Sequence, residues 1–342
     1  MHSQSEPFVS VLTPVYNGAE FLEECIESVL AQTYTNFEYI IVNNCSTDRT
    51  LEIARSYAVK DPRIRVHDNT DFLGVIDNHN HAFRMVSPDA KYCKVVSGDD
   101  YIFPECIAEL VRCAEANPST GIIGCYQLAA GYIRWQGFQY PKSVFSGTEL
   151  CRRLFLGEQK FLDGRPIVGF GSPTSLLYRC DLIRKSAAFY PNASPHSDTS
   201  ACFEHLAECD FGFVYQVLSY ERTHTGTQSY RSVQMNRYLS AGLNDLNKYG
   251  RLYLDGSEWR RCVRAIVKDY YEFLFTNYVT GVKEKEFWEY HKARLEELGF
   301  PYRRSAILRA GLATVGRHIM NPAQTITKLR RRFNHQTQGY PV

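Results

Sequence analysis

Two adjacent carboxylates, Asp99 and Asp100, follow an apolar run at residues 92–96 through Ser97 and Gly98. The run has the length and composition of a buried strand, so the acidic pair stands where that strand ends. Open α/β proteins bind their ligands at the carboxyl ends of strands. Carboxylate oxygens held there suit Mg²⁺ or Mn²⁺ bridging a diphosphate. A solvated turn is the alternative, and Gly-Asp-Asp taken alone favours it.

Strand-like and helix-like segments alternate along the first 130 residues and would position these carboxylates. β-rich runs occur at 8–15, 37–42, 64–67, 92–96 and 122–127, and apolar residues at helical spacing occur at about 22–30, 50–57, 75–85 and 104–116. This alternation predicts an α/β fold with a mostly parallel central sheet and helices on both faces.

The loops after the first four strands are rich in polar groups. They comprise residues 13–18, 43–48, 68–74 and 97–100. Together they predict one crevice that offers an amide to a base, acceptors to a ribose and a site for a metal. The Rossmann glycine fingerprint and the Walker phosphate loop are both missing from the sequence, so hydride transfer and ATP hydrolysis lack their usual signatures.

The composition of the 342-residue chain is ordinary for a soluble enzyme with one large domain plus an appendage. No run approaches the ~20 apolar residues of a membrane span, and residues 1–15 contain no basic-then-apolar leader. The 11 cysteines are scattered without metal-type pairs, which predicts reduced, core-filling thiols. We therefore expect a cytoplasmic protein.

The net charge of +2 conceals a basic C-terminal tail, because eight arginines and lysines but no acidic residue follow Glu297. Apolar residues recur at helical spacing at 307–319 and again at Ile326, Leu329 and Phe333. Peripheral contact with an anionic membrane and packing on the body both explain this pattern, and the lack of acid tilts us toward the membrane. No nucleic-acid recognition motif is present, so we expect no nucleic-acid partner.

The opening of the chain carries a family pattern. Residues 9–17, VSVLTPVYN, are followed by Phe21-Leu22 and by residues 28–33, SVLAQT, and the later polar loops keep the same order and spacing. On these motifs the sequence resembles family 2 glycosyltransferases over about residues 7–230. The resemblance implies a GT-A fold and the inverting transfer of a sugar from a nucleotide-diphosphate donor to an acceptor hydroxyl.

The resemblance also implies a domain organisation. A GT-A domain would occupy residues 1–230, with the nucleotide-sugar half at about 7–127 and the acceptor half at 128–230. A helical C-terminal region with the basic amphipathic tail would occupy residues 231–342.

Several residues would contact the donor nucleotide if the family pattern holds. Pro14, Tyr16 and Asn17 would contact the nucleoside, and Asn44 stands where the family commonly has an aspartate that accepts the N3 proton of uracil. An asparagine oxygen accepts that bond without the charge-assisted part, so a UDP-sugar is favoured while dTDP- and GDP-sugars stay open. An Asx turn at the strand exit explains Asn44 as well, and Asp48 is interpreted as a helix N-cap.

The family's metal motif begins with an acidic residue that is Ser97 here. Asp99 and Asp100 are therefore the implied ligands of a divalent cation, Mn²⁺ or Mg²⁺, and Asp99 is favoured for direct coordination and for contact with the donor. His224 would complete the metal shell or touch the pyrophosphate, and Arg222 would pair with phosphate or with a carboxylate. A loop-capping histidine and a structural ion pair are the alternatives.

In this family an acidic residue at the start of a helix deprotonates the acceptor hydroxyl. Asp198 is the matching residue, although Ser197 replaces the usual preceding glutamate. An inverting displacement requires a base on the face opposite the leaving group, within hydrogen-bond reach of the incoming hydroxyl. A plain helix N-cap is the alternative for Asp198, and Asp163 is the reserve candidate.

These features predict a metal-dependent glycosyltransferase that acts on a glycan or a lipid-linked saccharide in cell-surface polysaccharide biosynthesis. A sugar-phosphate nucleotidyltransferase is one alternative, but it would require a glycine-rich loop with a basic residue after the first strand. A non-catalytic nucleotide- or glycan-binding module derived from a transferase is the other. The departures at Asn44, Ser97 and Ser197 keep that second alternative open.

Overall fold

The computed structural model describes residues 6–160, 169–191, 196–224, 232, 235–281 and 284–320, without the side chains of 314–320. The chain divides into two compact units, one that ends at Thr223 and one that begins at His224. Asp163 and the predicted tail residues Ile326, Leu329 and Phe333 lie outside the described residues.

The first unit contains the predicted alternation of strands and helices. The strands are β1 (Val9–Val15), β2 (Phe37–Asn43), β3 (Ile64–Asp68), β4 (Tyr92–Val95), β5 (Tyr101–Ile102), β6 (Thr120–Ala129), β7 (Tyr132–Arg134), β8 (Val144–Phe145), β9 (Leu176–Arg179) and β10 (Asp210–Glu221). The helices are α1 (Leu22–Leu30), α2 (Thr50–Ala58), α3 (Val75–Phe83), α4 (Cys106–Ala116), α5 (Gly147–Phe155), α6 (Cys180–Lys185) and α7 (Ser197–His205). Every segment predicted in the first 130 residues ends within two residues of its expected position.

The strands form one sheet in the order β3-β2-β1-β4-β9-β6-β10-β5, with β7 beside β6 and β8 beside β10. Strands β3, β2, β1 and β4 are parallel, so their carboxyl ends share one edge as predicted. Strand β9 is antiparallel to both β4 and β6. The α/β class is confirmed, and the sheet is mixed because β9, which follows a 3-10 turn at Pro173–Ser175, runs antiparallel to both of its neighbours.

Helices cover both faces of the parallel half, which explains why β1 and β2 are buried along their whole length. In α1 the four residues at helical spacing, Leu22, Cys25, Ile26 and Val29, are buried in the same core. All 11 cysteines are free thiols, as the sequence predicted.

The second unit is helical. It contains α8 (Arg237–Tyr253), α9 (Gly256–Thr280), α10 (Lys285–Glu297) and α11 (Arg304–Met320). A capping box formed by Asp255 and Glu258 starts α9, and Gly281 at a φ of 65° ends it. Among the residues that the structure describes, no helix is both long enough and apolar enough to cross a lipid bilayer.

The described part of the predicted amphipathic tail is the first half of α11. Ile307 is buried in the core of the second unit, and Gly311 lies against the ring of Phe275. Leu308 and Leu312 are exposed, by 46% and 67% respectively. Packing therefore accounts for one side of this segment, and membrane contact by the tail stays a prediction.

Gly311→Ala is expected to destabilise the protein by about 1–3 kcal/mol, because its new methyl group would lie 2.1–2.3 Å from atoms of the Phe275 ring. This loss of unfolding free energy contrasts with the usual effect in a helix, where alanine in place of glycine stabilises by about 1 kcal/mol. Denaturant unfolding measures the change. Gly256→Ala is the control, since only the flexible end of Arg260 lies near that position. Equal stability of the two variants would contradict the proposed contact.

Candidate active site

The loop after β4 places Asp100 in the interior. Its Oδ2 accepts a hydrogen bond from Thr174 Oγ1 at 2.6 Å, and its Oδ1 accepts one from the backbone N–H of Arg222 at 2.9 Å. Burial raises the pKa of Asp100 well above its usual range, and the charges of Asp99 and Glu221 raise it further. Asp100 thus ties the loop to the 3-10 turn and to the segment after β10.

Asp99 occupies the more accessible position of the pair, because its side chain is partly exposed whereas that of Asp100 is buried. Its backbone carbonyl accepts a hydrogen bond from Arg222 Nε at 3.0 Å. Between the two predicted metal ligands, the geometry therefore favours Asp99 for direct contact with an ion or a donor.

A buried lysine that the sequence analysis did not single out holds the 3-10 turn that contacts Asp100. Lys94 is fully buried, and its ammonium group donates to the backbone carbonyls of Thr174, Val95 and Leu176. Burial lowers the pKa of Lys94. Its position within an apolar strand run was the available signal, because a lysine is rarely buried without partners.

Asp198 is the second residue of α7. Burial raises its pKa to about 6, hydrogen bonds from the backbone N–H groups of Thr199 and Asp198 itself lower it, and the charge of Glu221 raises it. The residue thus accepts backbone bonds in the first turn of the helix, although the N-cap position that the alternative interpretation gave it is occupied by His196. It also has the elevated pKa that is common at functional sites.

Glu221, the last residue of β10, couples the two halves of the site. Arg134 Nη1 donates to its carboxylate at 3.0 and 3.2 Å. Burial raises the pKa of Glu221, Arg134 lowers it, and Asp99 raises it. The charge of Asp99 raises the pKa of Glu221, and the charge of Glu221 raises the pKa of Asp198, so these three carboxylates, here called the carboxylate cluster, interact through their charges. The sequence analysis assigned no role to Glu221.

The amide of Asn44 is engaged within the protein. Its Nδ2 donates to the carbonyl of Leu73 at 2.8 Å, and its Oδ1 accepts from Leu73 N at 2.9 Å and from Asn69 Nδ2 at 3.0 Å. The buried side chain therefore holds the loop that follows β3. This geometry supports a structural role at the strand exit, and contact with a base stays a prediction.

The other predicted nucleoside contacts lie at the same edge or near it. Asn17, at a φ of 49°, accepts a hydrogen bond from the backbone N–H of Thr47 at 2.8 Å. Pro14 is buried within β1. Tyr16 and Phe72 are exposed by 49% and 61%, and their ring centroids lie 4.9 Å apart in an edge-to-face arrangement. Phe72 was not predicted as part of the site.

Asp48 and Arg222 have structural contacts. Asp48 accepts a hydrogen bond from Thr50 N at 3.0 Å at the start of α2, in agreement with its predicted capping role. The guanidinium group of Arg222 pairs with Glu24 and lies 4.5 Å from the ring centroid of Phe21. The alternative of a structural ion pair is therefore the one that the geometry supports.

Few protein side chains are available to hold the predicted divalent cation in the part of the chain that the structure describes. Within the described ranges, no group of three or more histidine, cysteine, aspartate or glutamate residues could hold a metal ion. His224 is the first residue of the second compact unit, and its role stays a prediction.

Comparison with known proteins identifies the family. A family model described as "Glycosyl transferase family 2" matches residues 10–186, just over half of the chain. The chain belongs to glycosyl transferase family 2. The matched segment contains Asn44, Asp99 and Asp100, and it ends before Asp198 and Glu221.

Two curated relatives illustrate the extent of the similarity. The uncharacterized glycosyltransferase EpsJ of Bacillus subtilis is 39% identical over 119 residues, which cover 35% of this chain and 33% of that protein. The uncharacterized glycosyltransferase RT0329 of Rickettsia typhi is 27% identical over 257 residues, which cover 73% and 76%. The chain thus spans about a third of the length of EpsJ.

Solved structures confirm the GT-A fold of this family member. Residues 1–349 of Staphylococcus aureus TarS superpose with a TM-score of 0.61 at 15% identity, covering 85% of this chain and 80% of that one. The mannosyltransferase PcManGT of Pyrobaculum calidifontis, solved with GDP-Man and Mn²⁺, gives a TM-score of 0.53 at 14% identity, covering 91% and 88%.

Proposed function

We propose that this protein transfers a sugar, with inversion, from a nucleoside-diphosphate donor to a hydroxyl group of a glycan or lipid-linked saccharide. Membership of glycosyl transferase family 2 supports the transfer, and TarS crystallised with UDP-GlcNAc supports a nucleotide-sugar donor. The observation that carries the proposal is the position of Asp99, which follows β4 at the edge where four parallel strands end.

The proposed donor subsite lies at the carboxyl ends of β1 to β4. Tyr16 and Phe72 offer exposed aromatic surface against which a base can pack. Asn44 fixes the loop that carries Phe72, because its amide bonds both backbone groups of Leu73. UDP is the favoured nucleotide, and dTDP- and GDP-sugars are its competitors in the test below.

Asp198 is the proposed general base. A carboxyl group with a pKa of about 6 is ionised at neutral pH, yet it binds a proton more readily than an ordinary aspartate. The acceptor oxygen would form a bond to the anomeric carbon while the bond from that carbon to the diphosphate breaks. The hydroxyl proton would pass to Asp198, and the electron pair would leave with the diphosphate.

A divalent cation, when bound, would supply Lewis-acid stabilisation of the leaving diphosphate. Asp99 fits as its protein ligand, since Mg²⁺ is commonly held by one or two carboxylates together with substrate phosphates and water. Asp100 fits less well because both of its oxygens already accept hydrogen bonds. The proposed setting is cell-surface polysaccharide biosynthesis at the cytoplasmic face of a membrane.

A non-catalytic binding module is the second candidate function. It is favoured by Ser97 in place of an acidic residue and by the engaged amide of Asn44. This candidate predicts that a nucleotide sugar binds and is never turned over.

The test is a thermal-shift panel of UDP-, dTDP- and GDP-sugars with and without Mn²⁺, followed by an assay for released nucleoside diphosphate. A ligand that binds only the folded state raises the melting temperature in step with its affinity. We expect a shift with one nucleotide that depends on Mn²⁺, together with diphosphate release. Binding without release would favour the binding module. Pyrophosphate release from a nucleoside triphosphate and a sugar phosphate would favour a nucleotidyltransferase.

The rate of transfer is expected to depend on pH through Asp198. Because the base must be ionised, kcat/KM should rise about tenfold per pH unit below pH 6 and level off above it. Initial rates measured from about pH 4.5 to pH 8, in buffers of constant ionic strength, give this rising limb of the pH profile. A profile with no limb near pH 6 would contradict the assignment of the base.

A further inference from the structure

A pocket of about 700 Å³ in the first unit is separate from the carboxylate cluster. It lies beside the β6–β7 hairpin, and its walls include Tyr126 from β6, Ile133 from β7 and Gln159 after α5. Its volume falls within the range of about 300–1,000 Å³ that is typical of small-molecule sites.

The pocket and the carboxylate cluster lie on opposite faces of one hairpin. Gln127 pairs with Arg134 across the hairpin, and Leu128 pairs with Ile133. Successive side chains of a strand point to opposite faces. Arg134 pairs with Glu221 of the cluster, whereas Ile133 lines the pocket, so adjacent residues of β7 reach the two sites.

Gln159, in the pocket wall, is held by a buried hydrogen bond. Gln159 is only 2% exposed, and its Nε2 donates to the carbonyl of Gly137. Its Oε1 is buried and has no hydrogen-bond partner in the part of the chain that the structure describes. Because Oε1 is inaccessible to solvent, it does not face the open pocket, and the bond to Gly137 makes Gln159 a structural part of the wall.

The chemistry of the wall suits an acidic saccharide. Glutamine amides offer both donors and acceptors to hydroxyl groups, and Tyr140, which is 79% exposed, offers a ring on which the apolar face of a sugar can pack. Arg153 and Lys160 oppose the single carboxylate of Glu158, so the wall carries an excess of positive charge. A guanidinium group binds carboxylate and phosphate groups in a bidentate manner.

We propose that this pocket binds an acidic unit of the acceptor glycan, beyond the unit that receives the new sugar. That the bound glycan is the acceptor rests on the proposed function. That the pocket binds an acidic saccharide does not. The pocket would retain the growing glycan by one of its charged units while the terminal hydroxyl is presented to Asp198.

The experiment measures direct binding of the full chain to a panel of defined bacterial oligosaccharides by biolayer interferometry. The panel contains neutral members, members with uronic acids and members with phosphate substituents. We expect acidic members to bind about tenfold or more tightly than neutral ones. Tyr140→Ala and the double variant Arg153→Gln/Lys160→Gln are each expected to weaken binding by about tenfold.

Tyr278→Ala is the matched control, because Tyr278 is 65% exposed and lies in the second unit. It should bind as the wild type does. Release of diphosphate from the donor without acceptor is expected to be unchanged in Tyr140→Ala, so a failure of donor turnover and a failure of glycan binding are separate results. Absence of binding to every acidic member, or binding that the pocket variants leave unchanged, would overturn the proposal.

Discussion

Asp198→Asn is expected to lower the rate of sugar transfer by about 10²–10⁴-fold, because asparagine retains the shape of the side chain and removes the proton acceptor. The pH dependence near pH 6 should disappear from the residual activity, since the group that causes it is gone. Steady-state transfer assays at several pH values measure both effects.

The same variant is expected to be more stable than the wild type at pH 7.5. Burial raises the folded-state pKa of Asp198 to about 6, above that of an unfolded aspartate. The stability linked to protonation is therefore complete below about pH 4 and is lost as the pH rises through about 6. Asparagine avoids the burial of a charge, so we expect a gain of about 1–3 kcal/mol at pH 7.5 that vanishes toward pH 4.

A carboxylate at another helix start provides the control. Glu149→Gln removes a charge from the first turn of α5 and is expected to leave transfer unchanged. If Asp198→Asn were fully active, or inactive and unfolded at pH 7.5, Asp198 would be a structural cap rather than a base.

Asp99→Ala is expected to lower turnover by roughly 10²–10³-fold, because a metal ion contributes several kcal/mol to the stabilisation of the leaving diphosphate. The concentration of Mn²⁺ that gives half of the maximal rate should rise at the same time, since the accessible protein ligand is lost. Titration of the initial rate with Mn²⁺ at saturating donor measures both quantities.

Two further variants separate the metal role from folding. Asp89→Ala removes an exposed carboxylate just before β4, at the opposite end of that strand, and should leave the titration unchanged. Asp100→Ala should instead lower the melting temperature, because it leaves the donors of Thr174 and Arg222 without their buried acceptor. Wild-type activity and wild-type Mn²⁺ dependence in Asp99→Ala would show that this carboxylate does not hold the ion.

The local elements of the parallel half were predictable from the sequence. Hydrophobic periodicity depends only on near neighbours, so the strands and helices up to residue 130 ended within two residues of their expected positions. The order of polar loops after parallel strands also placed Tyr16, Asn44 and Asp99 near one edge, because such strands present their carboxyl ends together.

Only the tertiary structure decided how the site is completed. The antiparallel course of β9 depends on how the chain re-enters the sheet after the 3-10 turn, which no local period encodes. The amide of Asn44 forms hydrogen bonds with the backbone of Leu73, 29 residues away. The carboxylate of Glu221 accepts a hydrogen bond from Arg134, 87 residues away. Partner choice and burial at such separations arise from packing, whereas residue type and spacing fix only which groups are available.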